Sequence, residues 1–195
     1  MFVYTMVGMF LLGAGMVLMD PFRKTSCETF SQVTTFASWF YPVCNFVLFC
    51  VVQASLLEYW AVPDFTTVCM EVAKFVLGVV LSNTVFYMGH WLLHRRCLYR
   101  FHAMHHLYIV PTPRAALYMH PLELFLGPLL TIGLPIVLLR PFRPVAYVTT
   151  LLAMIQAVRS HSSGPGFHQT HHVTQRTNLG FKNAVLDNLF GTVQK

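Results

Sequence analysis

Acidic residues are scarce in this sequence: Asp and Glu together number 7 of 195, and nowhere do they gather into a cluster. That scarcity argues against a magnesium or calcium site, which is built from carboxylate and carbonyl oxygens. Charge of either sign is low, at 10% of residues, and apolar positions run in long blocks instead of alternating with polar ones, which excludes a soluble globular domain. No CxxC pair occurs among Cys27, Cys44, Cys50, Cys69 and Cys97. An odd, scattered set of this kind argues against both a disulfide framework and a thiolate zinc site, and reads as small buried hydrophobes. The N-terminus lacks a basic n-region and a small-residue cleavage site, and its first apolar stretch ends in Met19-Asp20-Pro21. A spanning segment that also targets the chain is expected there, not a cleaved signal. Histidine, finally, is absent before His90.

What is present is hydrophobic: 55% of residues are apolar and mean hydropathy is +0.57. The expected fold is an all-α polytopic membrane bundle with a histidine-rich helical cap. Segment one, Phe2 to Met19, is just long enough for a bilayer core, which takes ~20 residues. Segment two, about Phe36 to Val62, carries Trp39, Tyr41, Tyr59 and Trp60 near its ends like interfacial belts, and segment three runs from about Val68 to Leu93. Glu71 and Lys74 pair near its entrance. Val110 to Arg114 turns the chain on two prolines. Two shorter apolar blocks, Leu124 to Leu139 and Val145 to Val158, then suggest a hairpin that dips into or thinly crosses the membrane, because Gly127, Pro128, Gly133 and Pro135 interrupt the first. The chain divides at about residue 88 into N-terminal spans (1–88) and a histidine-bearing region (89–195) with that hairpin at about 124–158.

The net charge of +6 does not indicate nucleic acid, because the basic residues sit at the ends of apolar blocks, where the positive-inside tendency and anionic lipids account for them. With three spans and a returning hairpin, Arg23, Lys24, Arg95, Arg96, Arg100, Arg114, Arg159, Arg176, Lys182 and Lys195 share one face with the histidines, leaving Arg140 and Arg143 opposite. The histidine face is therefore expected to be cytosolic and the N-terminus on the other side.

Gly89 to His106, GHWLLHRRCLYRFHAMHH, is the stretch that organises the chain. His90 and His94 stand at i, i+4, and His102, His105 and His106 at i, i+3, i+4; in an unbroken helix all five would occupy roughly 160° of arc. A second HxxHH, His168, His171 and His172, follows, with His120 and His161 between the two. Neutral imidazole is the commonest metal-ligating side chain. Eight to ten imidazoles exceed what one ion can use, so two metals are expected, and nitrogen-rich ligation suits iron, zinc or copper.

The order HxxxH, HxxHH, HPLE (His120 to Glu123), a lone His161-Ser162, HxxHH and a terminal Asp-x-Leu-Phe-Gly-Thr resembles the fatty acid hydroxylase/sterol desaturase superfamily over roughly Gly89 to Thr192. The resemblance implies a non-haem di-iron centre held by His90, His94, His102, His105, His106, His120, His161, His168, His171 and His172. It implies an endoplasmic reticulum enzyme that uses dioxygen and electrons from NAD(P)H, commonly through cytochrome b5 or its reductase, to hydroxylate or desaturate a lipid, sterol or fatty acyl. No histidine is assigned a general-base role, since ligation occupies its lone pair. YIVPTP, Tyr108 to Pro113, resembles the sterol C5-desaturase branch and HPLE also resembles the C4-methyl sterol oxidase branch. Asn178-Leu179-Gly180 and Leu186-Asp187-Asn188 depart from the usual Asn-Tyr-Gly and Trp-Asp-Arg, changes expected to touch substrate fit or helix docking more than metal binding. Glu123 has two readings, a cap for its own helix or a carboxylate that holds a ligand imidazole. Competing readings of the whole are a zinc-binding membrane transporter or an inactive lipid-binding scaffold.

Overall fold

Apolar runs bounded by prolines set the helices. In the computed structural model, which describes residues 35–161, 166–181 and 184–194, α1 is Thr35–Trp60 and α2 is Val68–Leu93, close to the expected segments two and three. The expected first span, Phe2 to Met19, lies outside the described residues. Pro63 stops α1, and Thr67 starts α2 by accepting a hydrogen bond from the Met70 amide at 3.2 Å, with Glu71 in the first turn where the helix dipole favours it. Glu71 is buried and accepts from Lys74, the Thr66 hydroxyl and the Phe142 amide, each at 2.8 Å. The Phe142 bond ties the α2 entrance to the far turn of the hairpin, so the expected pair is part of a larger knot.

The hairpin is α4, Pro121–Leu139, and α5, Arg143–Ser160; α3 is the short Tyr99–His102, α6 is Phe167–Thr174 and α7 is Val185–Phe190. Two 3₁₀ turns, His105–Leu107 and Pro113–Leu117, connect α3 to α4. The first hairpin arm is longer than the dip expected of it. α4 continues through Pro128 by a π turn over Phe125–Leu129, because proline has no N–H for the carbonyl four residues back and the wider turn accommodates that loss. At 19 residues it is long and apolar enough to cross a membrane, as are Trp39–Trp60 and Val68–Leu93. Among the described residues the secondary structure is helical, apart from a bridge between Val62 and Phe142.

Buried polar groups lock the spans together. Asn45 of α1 donates to the carbonyls of Leu117 and Met119 at 2.9 and 2.8 Å, and the apolar core of Phe49, Leu57, Leu124, Ile132 and Met154 joins α1, α4 and α5. Gly89 of α2 sits so close to α4 that a Cβ there would lie 2.8 Å from the Leu126 carbonyl oxygen. Gly89→Ala must push backbone from backbone, at a cost of about 1 to 3 kcal/mol. A lowered thermal midpoint of the purified protein checks this, and an unchanged midpoint would mean that the two helices part freely.

Candidate metal centre

α2 ends at Leu93, where the apolar run gives way to Arg95 and Arg96, and His94 caps it. The Arg95 guanidinium folds back over the Trp91 ring at 3.3 Å. The helix therefore does not continue through the five histidines as one face. Instead the chain turns over residues 94–98 and α3 brings His102 back, its Nε2 3.1 Å from those of both His90 and His94. Across the fold, α6 presents the second HxxHH.

The imidazoles form two adjacent groups. His90, His94, His102, His106 and His171 make the first and His105, His161, His168 and His172 the second, with the ligand atoms of each within 4.8 Å of one another. All of these rings are buried except His94, which is half-buried. The rings of His106 and His172, one from each group, have centroids 4.8 Å apart. Each HxxHH is shared between the groups: His102 and His106 enter the first and His105 the second, whereas His168 and His172 enter the second and His171 the first. Helical geometry is the reason, because positions i and i+4 lie about 40° apart while consecutive residues diverge by about 100°. Nine of the ten histidines are gathered in this way. His120 is not: it caps α4, its Nδ1 accepting from the Leu122 amide at 3.1 Å.

The partners of the outer ring nitrogens fix what the inner ones offer. His90 Nδ1 lies 2.8 Å from the Leu179 carbonyl and His171 Nδ1 2.8 Å from that of Thr177. Carbonyl oxygens only accept, so both Nδ1 atoms carry hydrogen and both Nε2 atoms present bare lone pairs. His102 Nδ1 lies 2.9 Å from Glu123 Oε1, close but not aligned for a hydrogen bond. In the second group His161 Nδ1 faces the Ala157 carbonyl at 2.7 Å, and its Nε2 lies 3.0 Å from that of His168. His90 and His171 thus both turn a bare Nε2 into the first group, where that of His102 lies 3.1 Å from His90 Nε2. Bare lone pairs turned into one buried group repel, and a cation among them removes the repulsion; the donor set fits one metal ion in each group. Of the two readings of Glu123, the position beside His102 is the one for an imidazole holder. Its Oε1 also lies 3.9 Å from His105 Nδ1 in the other group, so one buried carboxylate reaches both.

Electrostatics agree with ligation. Burial first, then neighbouring imidazoles, holds His105 and His168 well below the ordinary histidine range, and the same causes bring His94 down to about 2. Burial takes His161 to about 4 and His171 to about 3. These rings stay neutral, as a metal ligand must.

Residues 75–192 match the family model for fatty acid hydroxylase. The chain belongs to the fatty acid hydroxylase family. It is 33% identical over 150 residues to the very-long-chain aldehyde decarbonylase GL1-8 of Oryza sativa subsp. indica, covering 67% of this chain and 54% of that protein. It is also 29% identical over 140 residues to methylsterol monooxygenase 2-2 of Arabidopsis thaliana (62% and 52% covered). With the Delta(7)-sterol 5(6)-desaturase ERG3A of Gibberella zeae the identity is 28% over 131 residues (61% and 37% covered). The chain spans about half the length of the first two of these relatives. No solved structure matches it.

The terminal motif of this fatty acid hydroxylase chain has a role that its sequence left open. Asp187, fully buried, accepts from the Leu179 amide at 2.7 Å, the Gly180 amide at 2.9 Å and the Thr192 hydroxyl at 2.7 Å. It thereby fixes the loop whose Leu179 carbonyl meets His90. Leu179 enters this network through its backbone N and O alone, and the side chain of Asn188 is exposed. The readable signal was an aspartate following an Asn-x-Gly, where a carboxylate takes consecutive amides. Tyr99, whose hydroxyl donates to Gln175 Oε1 at 2.6 Å beside the His106 ring, carried no such signal.

The depressed histidines set an acid limit. In the unfolded chain they titrate near 6.5, and in the folded chain lower, so the unfolded state binds protons first as pH falls. The metal-free protein is expected to keep its full stability above about pH 6.5 and to lose it progressively toward about pH 4. Thermal midpoints of chelator-treated protein between pH 8 and 5 check this; a midpoint that rises on acidification would contradict it.

Proposed function

We propose that the protein is a membrane-bound, non-haem di-iron oxidoreductase. It uses dioxygen and NAD(P)H-derived electrons, received through cytochrome b5 or its reductase, to hydroxylate or desaturate a sterol or fatty acyl lipid. The observation that carries this reading is that both imidazole groups contribute to the wall of a largely apolar cavity. That cavity measures ≈ 940 Å³ with its open mouth included, and His90, His102, His105, His161 and His168 stand in its wall beside Phe49, Phe86, Met119, Ile132, Met154 and Phe181.

An iron held in each group would supply the chemistry of dioxygen activation and C–H attack. His90, His94, His102, His106 and His171 would hold one ion and His105, His161, His168 and His172 the other, with His120 serving the helix start. The carbonyls of Leu179, Thr177 and Ala157 keep the ring hydrogens on Nδ1 and turn Nε2 inward. Away from the histidines, Glu123, Thr131 and Ser160, the cavity wall is apolar and offers a lipid chain mainly shape to orient it. The basic residues on the histidine side support a cytosolic face in the endoplasmic reticulum membrane, where a soluble electron-carrier domain has access. A long-chain aldehyde is a second candidate substrate, favoured by the identity to the rice decarbonylase.

The test is NADH-driven oxygen uptake by iron-loaded protein in bilayers with cytochrome b5 and its reductase, adding a sterol, a ceramide or a long-chain aldehyde. Lipid-dependent uptake is expected, with a sterol or ceramide product gaining one oxygen or losing two hydrogens; an aldehyde converted to a product lacking the carbonyl carbon would favour the second substrate. Loaded iron with no uptake on any lipid would leave the scaffold reading in its place.

A further inference from the structure

α7 is two-faced. Asp187 points inward to the loop beside His90, while Val185, Leu189 and Phe190 are exposed, Leu189 at 72%. An outward apolar face on a six-residue helix needs a cover, and its position tells which. The Phe190 ring stacks on Tyr87 of α2, centroids 5.4 Å apart and planes 18° apart, and the Tyr87 hydroxyl hydrogen-bonds the Thr192 hydroxyl at 2.9 Å. α7 is thus fastened to a known depth of a spanning helix. Tyr87 stands 19 residues past Val68, about 29 Å along the axis at 1.5 Å per residue, against a hydrocarbon core of about 30 Å. Trp91, one turn further, lies under the Arg95 guanidinium, a pairing suited to the head-group layer. On α2, Met88, next to Tyr87 in the chain, and Leu92 are exposed as well.

We propose that α7 is an in-plane membrane helix, seated with Leu189 and Phe190 at the boundary of acyl chains and head groups, and that the bilayer is the occupant of this face. Helices that are apolar on one side and polar on the other bind membranes at this depth. The consequence is mechanical. Lipid holds the outer face of α7, Asp187 on its inner face holds Leu179 and Gly180, and the Leu179 carbonyl holds His90. The loop is ordered by the membrane as well as by the chain. Its extension to metal retention rests on the function proposed above, but the position of α7 does not.

The experiment uses the full chain in phosphatidylcholine nanodiscs, with Leu189→Trp compared against the wild type to subtract Trp39, Trp60 and Trp91. The added emission is expected to be blue-shifted, lost for the most part to brominated acyl chains and little affected by aqueous acrylamide. Alongside it, Leu189→Glu is expected to speed amide hydrogen exchange at Leu179 and Gly180, whereas Asn188→Glu, at an exposed polar position, leaves it unchanged. Neither readout needs metal or turnover. Water-like emission quenched by acrylamide alone would overturn the proposal. So would emission shielded from both quenchers together with a change of oligomeric state in Leu189→Glu, which would assign the face to a second copy.

Discussion

Alanine in place of His102 is expected to empty the first histidine group and abolish turnover. The His102 Nε2 atom lies within 3.1 Å of the Nε2 atoms of His90, His94 and His106, closest to His106 at 2.9 Å, so its removal opens the middle of the set. It also takes from buried Glu123 the ring nitrogen that lies nearest its carboxylate, and a buried polar group left without a neighbour of this kind is costly. Loss of an outer partner to a ligand typically lowers affinity or activity by ~10 to 100-fold; loss of the ligand itself should exceed about 100-fold in oxygen uptake and take one metal from the chain. His120→Ala is the matched control. It removes a helix cap, at about 1 kcal/mol, and both metals and turnover are expected to remain. Metal analysis and uptake on the two variants side by side check this; equal losses would mean that the grouping of the histidines is wrong.

Asp187→Ala is expected to be the most destabilising single change outside the histidines. Three donors, two of them backbone amides, lose a fully buried carboxylate. Each buried donor left without a partner costs about 1 to 3 kcal/mol, and some relaxation brings the total to about 3 to 5 kcal/mol, a large fraction of an ordinary domain's stability. Asp187→Asn does not rescue it, since its amide NH₂ meets donors where the second oxygen accepted. Thermal unfolding should show the loss in both variants. Reloading with metal should recover less than in the wild type, because the Leu179 carbonyl no longer holds His90 in place. A variant as stable as the wild type would mean that the terminal motif is not what fixes the loop.

The spans and the histidine boxes were legible from sequence because each rests on a local rule. Apolar length places the α2 span at about Val68 to Leu93, and i, i+3, i+4 spacing marks the boxes. The sharing of each box between two groups was implicit in the 100° step between His105 and His106 and between His171 and His172, but assigning partners required the fold. The turn at residues 94–98 was not legible, because nothing in Arg95 to Leu98 forbids a helix; the helix ends where the chain meets the interface. Pro128 suggested an interruption, and the π turn over Phe125–Leu129 absorbed it. His120 looked like its fellow histidines, although it caps α4. Glu123 and Asp187 act through contacts with residues distant in sequence or through backbone amides, and single-residue chemistry left one with two readings and the other with none.

The most direct test of the account is the metal content of the full chain purified into bilayers after iron loading, measured by elemental analysis with protein quantified in the same sample. Two imidazole groups with converging lone pairs predict about two ions per chain, both retained through dialysis at neutral pH and released together as the histidines protonate. A folded protein that binds a single ion, or none, would contradict it.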